Sequence, residues 1–174
     1  MKEMIRYGLT LAVICAAASG LLAMVNHVTG PRILAQAGAQ EDSSLSELLP
    51  QASRFEPVNA AGGLAYYKGY DKDNKFAGIV FKASGKGYSS DIESLVGMAK
   101  GGRVTGIKIT SLNETPGLGS KVAEPDFLSL FKGKDTSQLP QVQAITGATI
   151  SSSAVIKSVS KKAAELEEQI KNEK

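Results

Sequence analysis

The sequence predicts an α+β protein in which a single N-terminal transmembrane helix is followed by a small domain of antiparallel strands and a helix. Three observations support this class. A long uncharged run occurs near the N-terminus, several short strand-like runs follow it, and a stretch with helical periodicity ends the chain. The length of 174 residues allows one domain with appendages, since domains average about 100 to 200 residues.

Residues 9–28 carry no charged side chain and are predicted to form the transmembrane helix. At about 1.5 Å per helical residue, a run of this length spans the roughly 30 Å hydrocarbon core of a bilayer. Lys2 and Arg6 precede the run and only Arg32 closely follows it. The positive-inside rule therefore places residues 1–8 in the cytoplasm and the domain outside the inner or plasma membrane.

A cleavable signal peptide is the alternative interpretation of this segment. Ala35 and Ala37 flank Gln36 in the small-x-small pattern of a cleavage site. The apolar run is longer than the about 7 to 15 residues of a typical signal-peptide core, which favours an uncleaved anchor. Both interpretations predict an extracytoplasmic domain.

Residues 29–42 are rich in Gly, Ala, Gln and Pro without periodicity and are predicted to be a tether. The domain is then expected to comprise residues 43–174. Ser43 or Ser44 is expected to cap a short helix that carries three leucines and ends near Pro50.

Three runs rich in β-branched and aromatic residues are predicted to be antiparallel strands, at residues 64–70, 76–83 and 104–111. Residues 89–99 are compatible with either helix or strand. From Ser152 onward, apolar residues recur at spacings of three and four, which predicts a helix with one apolar stripe packed on the sheet.

Composition restricts the chemistry of the domain. Residues 38–174 carry 17 basic and 16 acidic side chains, because three basic residues and one acidic residue precede them. This near balance argues against nucleic-acid binding. The single Cys and the single His are Cys15 and His27, so the domain has no residues for a Cys/His metal site or a His-dependent nucleophile. Carboxylates, lysines, hydroxyls or a bound organic cofactor must carry any chemistry.

The first of two candidate ligand-binding segments runs from Asn113 to Lys121. Pro116 fixes its own φ angle, and Gly117 and Gly119 have no Cβ, so backbone amides can approach a flat or anionic ligand closely. Composition alone favours an ordinary connecting loop.

The second segment, residues 144–152, lies at the start of the predicted C-terminal helix. Its hydroxyl side chains lie where the first N–H groups of a helix are unsatisfied, which favours phosphate binding. These hydroxyl residues are Thr146, Thr149, Ser151 and Ser152, with Ser153 next to them. Gly147 and Ala148 leave the approach clear. The alternative is that the hydroxyls only cap the helix.

The order and spacing of the two motifs resemble those of the FMN-binding subunits of the Rnf and Nqr respiratory complexes. E-T-P-G-L-G begins at Glu114 and T-G-A-T-x-S begins at Thr146, behind a single N-terminal membrane helix. The resemblance covers the FMN-binding domain at residues 85–164, and the anchor and tether match the family organisation.

The resemblance implies a covalent cofactor. FMN is expected to be joined by a phosphoester bond to Thr149, the last residue of T-G-A-T, by a separate magnesium-dependent flavin transferase that uses FAD. The loop that contains Glu114, Thr115, Gly117 and Leu118 is expected near the flavin ring. Expected cofactor contacts in the second motif are Thr146, Gly147, Ala148 and Ser152.

The function implied is that of an electron-relay protein, the G-type subunit of an Rnf complex, rather than a stand-alone catalyst. Such complexes couple electron transfer between ferredoxin and NAD to sodium or proton translocation, and their other membrane and peripheral subunits are the expected partners. The short chain favours Rnf over the C-type subunit of Nqr.

Two positions depart from the family pattern. Asn113 stands where His is usual, which argues against proton transfer at that position. Gln143 stands where Asp is usual, six residues before the modified Thr. The second departure motivates a third interpretation, in which a membrane-tethered domain keeps the fold, holds no flavin and only assembles with partner proteins.

Overall fold

The computed structural model describes residues 2–60 and 63–172, and at positions 2, 32, 34–40, 60, 63–65, 168, 169, 171 and 172 it describes the backbone alone. The chain divides into two compact units, Met1–Asp42 and Ser43–Lys174.

The first helix, α1, extends over Lys2–Leu48. Within it, Glu3–Pro31 is long and apolar enough to cross a membrane, with a mean hydropathy of 2.2. This agrees with the predicted N-terminal apolar helix. The predicted tether at residues 29–42 is helical in the structure rather than irregular, and no new helix begins at Ser43 or Ser44. Ala, Leu and Gln have high intrinsic helix propensity, which periodicity alone does not detect.

Five antiparallel strands form one sheet, in which each strand pairs with its sequence neighbours. They are β1 Arg54–Ala60, β2 Gly63–Tyr70, β3 Phe76–Lys86, β4 Asp91–Ala99 and β5 Val104–Ser111. The three predicted strands correspond to β2, β3 and β5, and the ambiguous segment at residues 89–99 is strand β4. The sequence did not predict β1, an edge strand that contains Pro57, and Pro is tolerated in strands mainly at such edges.

Short elements connect the sheet to the last helix. A 3-10 turn spans Gly119–Ala123, the helix α2 spans Pro125–Ser129, and a second 3-10 turn spans Leu139–Gln141. The last helix, α3, spans Thr149–Asn172, so it begins three residues before the predicted start. Thr149 is therefore the first residue of a helix.

The sheet is covered on both faces. The apolar stripe of α3 packs on one face, as predicted, and its buried side chains include Val155, Val159 and Ala163. On the other face, Leu45, Leu48 and Leu49 pack against Val80 and Leu95.

Two polar contacts fix this second layer to the sheet. The Thr105 hydroxyl on β5 donates to the carbonyl of Leu48. Lys108 Nζ, also on β5, donates to Glu47 Oε2 at 2.6 Å. The turn before β4 and the loop after β5, which carries the first motif, meet the start of α3 at one cavity.

Candidate functional site

The two sequence motifs line one cavity of about 470 Å³. This volume lies within the about 300 to 1,000 Å³ that is usual for small-molecule sites. Its lining residues come from the turn before β4, the loop after β5 and the start of α3. They are Tyr88, Glu114, Thr115, Leu118, Gly119, Gly147, Ala148, Thr149, Ile150 and Ser151.

Glu114 connects all three of these segments. Its side chain accepts hydrogen bonds from Ser151 Oγ at 2.6 Å and from the backbone N–H groups of Ser89 and Ser90 at 2.9 and 3.0 Å. The N–H of Tyr88 donates a fourth bond at 3.3 Å. Glu114 is only 9% exposed, and every one of these donors stabilises the ionised carboxylate.

The pKa of Glu114 reflects two opposing effects. Burial alone would raise it, but the hydrogen bonds from Ser151 and from the N–H groups of Ser89, Ser90 and Tyr88 together hold the pKa below its ordinary value. Glu114 is therefore an anionic structural brace at neutral pH, and its oxygens are engaged by protein donors.

Two glycines make room for this carboxylate. A Cβ at Gly87 would lie 2.6 Å from Glu114 Oε1, and a Cβ at Gly119 would lie 2.6 Å from Glu114 Oε2. Real Cβ atoms do not approach other atoms so closely, so both positions require a residue without a Cβ, which is glycine. Gly119 therefore makes room for the Glu114 carboxylate in addition to lining the cavity.

The first motif forms a tight turn beside the cavity. The N–H groups of Leu118 and Ser120 both donate to the carbonyl of Thr115, at 3.2 and 3.3 Å. Gly117 has a φ of +74°, a conformation that glycine adopts without strain, and its N–H donates to Ser120 Oγ at 2.8 Å. The turn presents Thr115 and Leu118 to the cavity, whereas Gly117 does not line it.

The second motif is held by Ser152. This buried hydroxyl donates to the carbonyl of Ala148 at 2.8 Å and accepts from the N–H of Ile145 at 3.1 Å. Gly147, with a φ of +85°, allows the chain to turn into α3 at this point. Ser152 therefore positions the loop and does not line the cavity, and Thr146 is exposed outside it.

Thr149 is the exposed hydroxyl residue that the second motif contributes to the cavity. Its Oγ1 has no hydrogen-bond partner among residues 2–60 and 63–172. A side chain at the first position of a helix also lies next to N–H groups that have no partner within the helix. Among the hydroxyl residues of the motif, Thr149 alone both lines the cavity and is exposed.

Sequence reasoning located most of the cavity and missed some of its walls. The structure brings together Glu114, Thr115, Leu118, Gly147, Ala148 and Thr149, whereas Thr146, Gly117 and Ser152 lie outside the lining. The missed members are Tyr88 and Ile150, whereas Gly119 and Ser151 were named in the two candidate segments but not among the expected cofactor contacts. Tyr88 and Ile150 are 72% and 56% exposed. The sequence signal that could have identified them is a large side chain in a turn, for Tyr88, and an apolar residue outside the apolar stripe of α3, for Ile150.

Comparison with known proteins identifies the family. Residues 87–164 match the FMN-binding domain and residues 1–48 match the RnfG N-terminal region. The G subunit of the ion-translocating oxidoreductase complex of Methanosarcina acetivorans is 35% identical, over 89% of this chain and 90% of that protein. The G subunit of the proton-translocating ferredoxin:NAD(+) oxidoreductase complex of Clostridium ljungdahlii is 36% identical, over 86% of this chain and 84% of that protein.

A solved structure shows the same fold. The C subunit of the Na(+)-translocating NADH-quinone reductase from Parabacteroides distasonis superposes with a TM-score of 0.57 at 18% identity, covering 78% of this chain and 85% of that one. The match at the N-terminal region and the two relatives decide between the two respiratory families that the motifs resemble. The chain belongs to the family of G subunits of Rnf-type ion-translocating oxidoreductase complexes, and residues 87–164 are its FMN-binding domain.

Proposed function

We propose that this protein is the flavin-carrying electron-relay component of a membrane-bound Rnf complex, which couples electron transfer between ferredoxin and NAD to sodium or proton translocation. Its FMN is attached to Thr149. The observation that carries the proposal is the exposed hydroxyl of Thr149 at a cavity that both family motifs build. The other subunits of the complex are its partners.

The cavity suits a flat, largely apolar ring. The exposed side chains of Tyr88, Leu118 and Ile150 line it, and such residues contact planar aromatic ligands well. Bound FMN supplies one-electron and two-electron redox chemistry. The chain's own residues would hold the ring beside the Thr115–Leu118 turn, where backbone amides would influence its electronics.

Attachment requires a second protein, a flavin transferase that uses FAD. In this step Thr149 Oγ1 forms a bond to the FMN phosphorus, the bond from that phosphorus to the AMP half of FAD breaks, AMP leaves and the hydroxyl proton is released. Gly147 and Ala148 keep the approach to Thr149 free of large side chains. Ser152 holds the backbone of Ala148 in place. A covalent bond also retains the cofactor in a domain outside the membrane.

Replacement of Thr149 by Val tests the attachment. The wild-type protein, produced with its transferase, should carry the mass of one FMN less one water and give a fluorescent band after denaturing electrophoresis. Thr149→Val should lose both signals completely. Thr110→Val, an exposed threonine on β5, should keep both.

A dark wild-type band from a host that contains the transferase would contradict the proposal. That result would favour the interpretation motivated by Gln143, a membrane-tethered assembly domain without flavin. Fluorescence that persists in Thr149→Val would instead show that another residue carries the cofactor.

The proposal also includes a topology, with the N-terminus in the cytoplasm and residues 43–174 on the outer side of the membrane. Support comes from the apolar helix Glu3–Pro31 and from Lys2 and Arg6 in front of its uncharged run. In intact spheroplasts, a protease added outside should digest the domain. If the domain is digested only after the spheroplasts are lysed, the orientation is the opposite of the one proposed. Mass measurement of the N-terminus in the same sample reports whether the chain is cleaved after Ala37.

A further inference from the structure

A second cavity of about 360 Å³ lies next to Thr149 and differs in character from the first. Thr149 and Ile150 line both cavities, so they form the boundary between them. The other lining residues of the second cavity are Lys86, Ser153, Ala154 and Lys157. The cavity therefore contains two cations and two hydroxyls, and none of its lining residues is a carboxylate.

The fold fixes both lysines near Thr149. Lys157 lies on α3 eight residues after Thr149, with Ser153 midway, and residues four apart share one helix face. Lys86 is the last residue of β3. The preceding Gly85 is so close to α3 that a Cβ there would lie 2.5 Å from the carbonyl oxygen of Ala154. This close contact holds the end of β3 against the first turns of α3.

The two lysines also form no ion pairs within the described part of the chain. Across residues 2–60 and 63–172, neither Lys86 nor Lys157 has an ion-pair or side-chain hydrogen-bond partner. Other lysines of the domain do, such as Lys108 with Glu47 and Lys162 with Glu165. Asp91 lies opposite Lys86 in the register of β3 and β4 but forms no ion pair with it. Two unpaired cations that line one cavity with Thr149 create a positive potential where its hydroxyl would carry an anion.

We propose that Lys86 and Lys157 form an anion subsite that binds the phosphate of FMN on Thr149, while the ring lies in the cavity lined by Tyr88 and Leu118. This inference rests on the proposed attachment to Thr149 and assigns the second cavity to the phosphate. A phosphodiester carries one negative charge and two free oxygens, so one oxygen is available to each ammonium group. Holding the phosphate on this side directs the rest of the cofactor to the other side of Thr149.

The experiment is ³¹P NMR of the full flavin-loaded chain in a detergent and buffer free of phosphorus. The wild type should give one phosphodiester signal that does not titrate, whereas a phosphate monoester titrates with a pKa of about 6. In Lys86→Gln/Lys157→Gln this signal should move by more than its linewidth. Lys161→Gln removes an exposed lysine one turn further along α3 that lines neither cavity, and should leave the signal in place. Lys86→Arg/Lys157→Arg should restore a signal close to that of the wild type.

The possible failures are distinguishable. Absence of a non-titrating signal in the wild type overturns the attachment to Thr149 and the subsite with it. A signal that is present in the wild type and unchanged in Lys86→Gln/Lys157→Gln overturns the subsite alone. Equal movement in Lys161→Gln also overturns it, because general surface charge then explains the effect. If the double variant is not loaded with flavin, the single variants decide by the same signal.

Discussion

Glu114 and Thr149 are the distinctive polar residues of two motifs that share one cavity, yet their surroundings are opposite. Glu114 is buried and accepts four hydrogen bonds from three segments of the chain. Thr149 is exposed, and within the part of the chain that the structure describes its hydroxyl has no partner. A saturated, buried group stabilises the fold, whereas an exposed, unpaired one is free to react. Burial and partners, rather than membership in a motif, thus separate a structural role from a chemical one.

The two residues should therefore respond to substitution in different ways. Changes at Thr149 should abolish flavin attachment and leave the fold intact, because an exposed side chain without partners contributes within about 0.5 kcal/mol to stability. Changes around Glu114 should lower stability first. These changes should reduce flavin loading only to the extent that they disorder the loops around the cavity.

Glu114→Gln is expected to have the largest effect on stability. The amide offers one acceptor oxygen where the carboxylate offers two, and its NH₂ group faces N–H donors. Since hydrogen bonds to charged groups contribute about 1.5 to 3 kcal/mol each, the free energy of unfolding should fall by about 3 kcal/mol at pH 7. Denaturant unfolding of the full chain in detergent, followed by circular dichroism, measures the loss. Thr149→Val serves as the control with no comparable loss.

The difference in stability between the wild type and Glu114→Gln should depend on pH in a defined direction. Hydrogen bonding holds the pKa of Glu114 below its ordinary value in the folded protein. Its stabilising contribution is therefore complete above the ordinary carboxyl pKa and is lost as the pH falls through the folded-state value. The stability difference between the wild type and Glu114→Gln should narrow on acidification over that range. A difference that stays constant would show that Glu114 is not ionised in the folded state.

Gly119→Ala should have the next largest effect, because it attacks the same brace by steric means. The added Cβ would lie 2.6 Å from Glu114 Oε2 and 2.9 Å from Ser151 Oγ. Overpacking of this kind costs about 1 to 3 kcal/mol, so we expect a loss of about 2 kcal/mol by the same unfolding measurement. Gly101→Ala, where no atom lies within 4 Å of the added Cβ, should change stability little. Equal losses in the two variants would mean that the clash with Glu114 and Ser151 is not the cause of the loss.

The brace also shows what the sequence does and does not reveal. Turn residues, strand-like runs and a periodic stripe predicted β2, β3, β5 and α3, and the paired motifs predicted that Glu114 and Thr149 lie close together. The role of Glu114 was not predictable, because three of its donors are backbone N–H groups 24 to 26 residues earlier in the chain. Backbone donors leave no residue signature. Strand β1 was missed for a related reason. It is held by backbone pairing with β2, and its sequence has no alternating pattern that predicts a strand.

Gly117→Leu should lower stability less than Glu114→Gln or Gly119→Ala does, and it should have the most specific effect on the flavin. Gly117 has a positive φ and no atom within 4 Å of an added Cβ, so a side chain there meets backbone strain of about 1 to 2 kcal/mol and no steric clash. Relief of that strain would move the Thr115–Leu118 turn and, with it, the amides beside the ring. We expect covalent FMN to remain and its reduction potential to shift by about 30 mV, equivalent to about 1.4 kcal/mol for two electrons. Spectroelectrochemical titration of the loaded protein measures this shift. An unchanged potential and visible spectrum would mean that the turn does not contact the ring, and would leave Thr149 and the walls formed by Tyr88 and Ile150 as the flavin site.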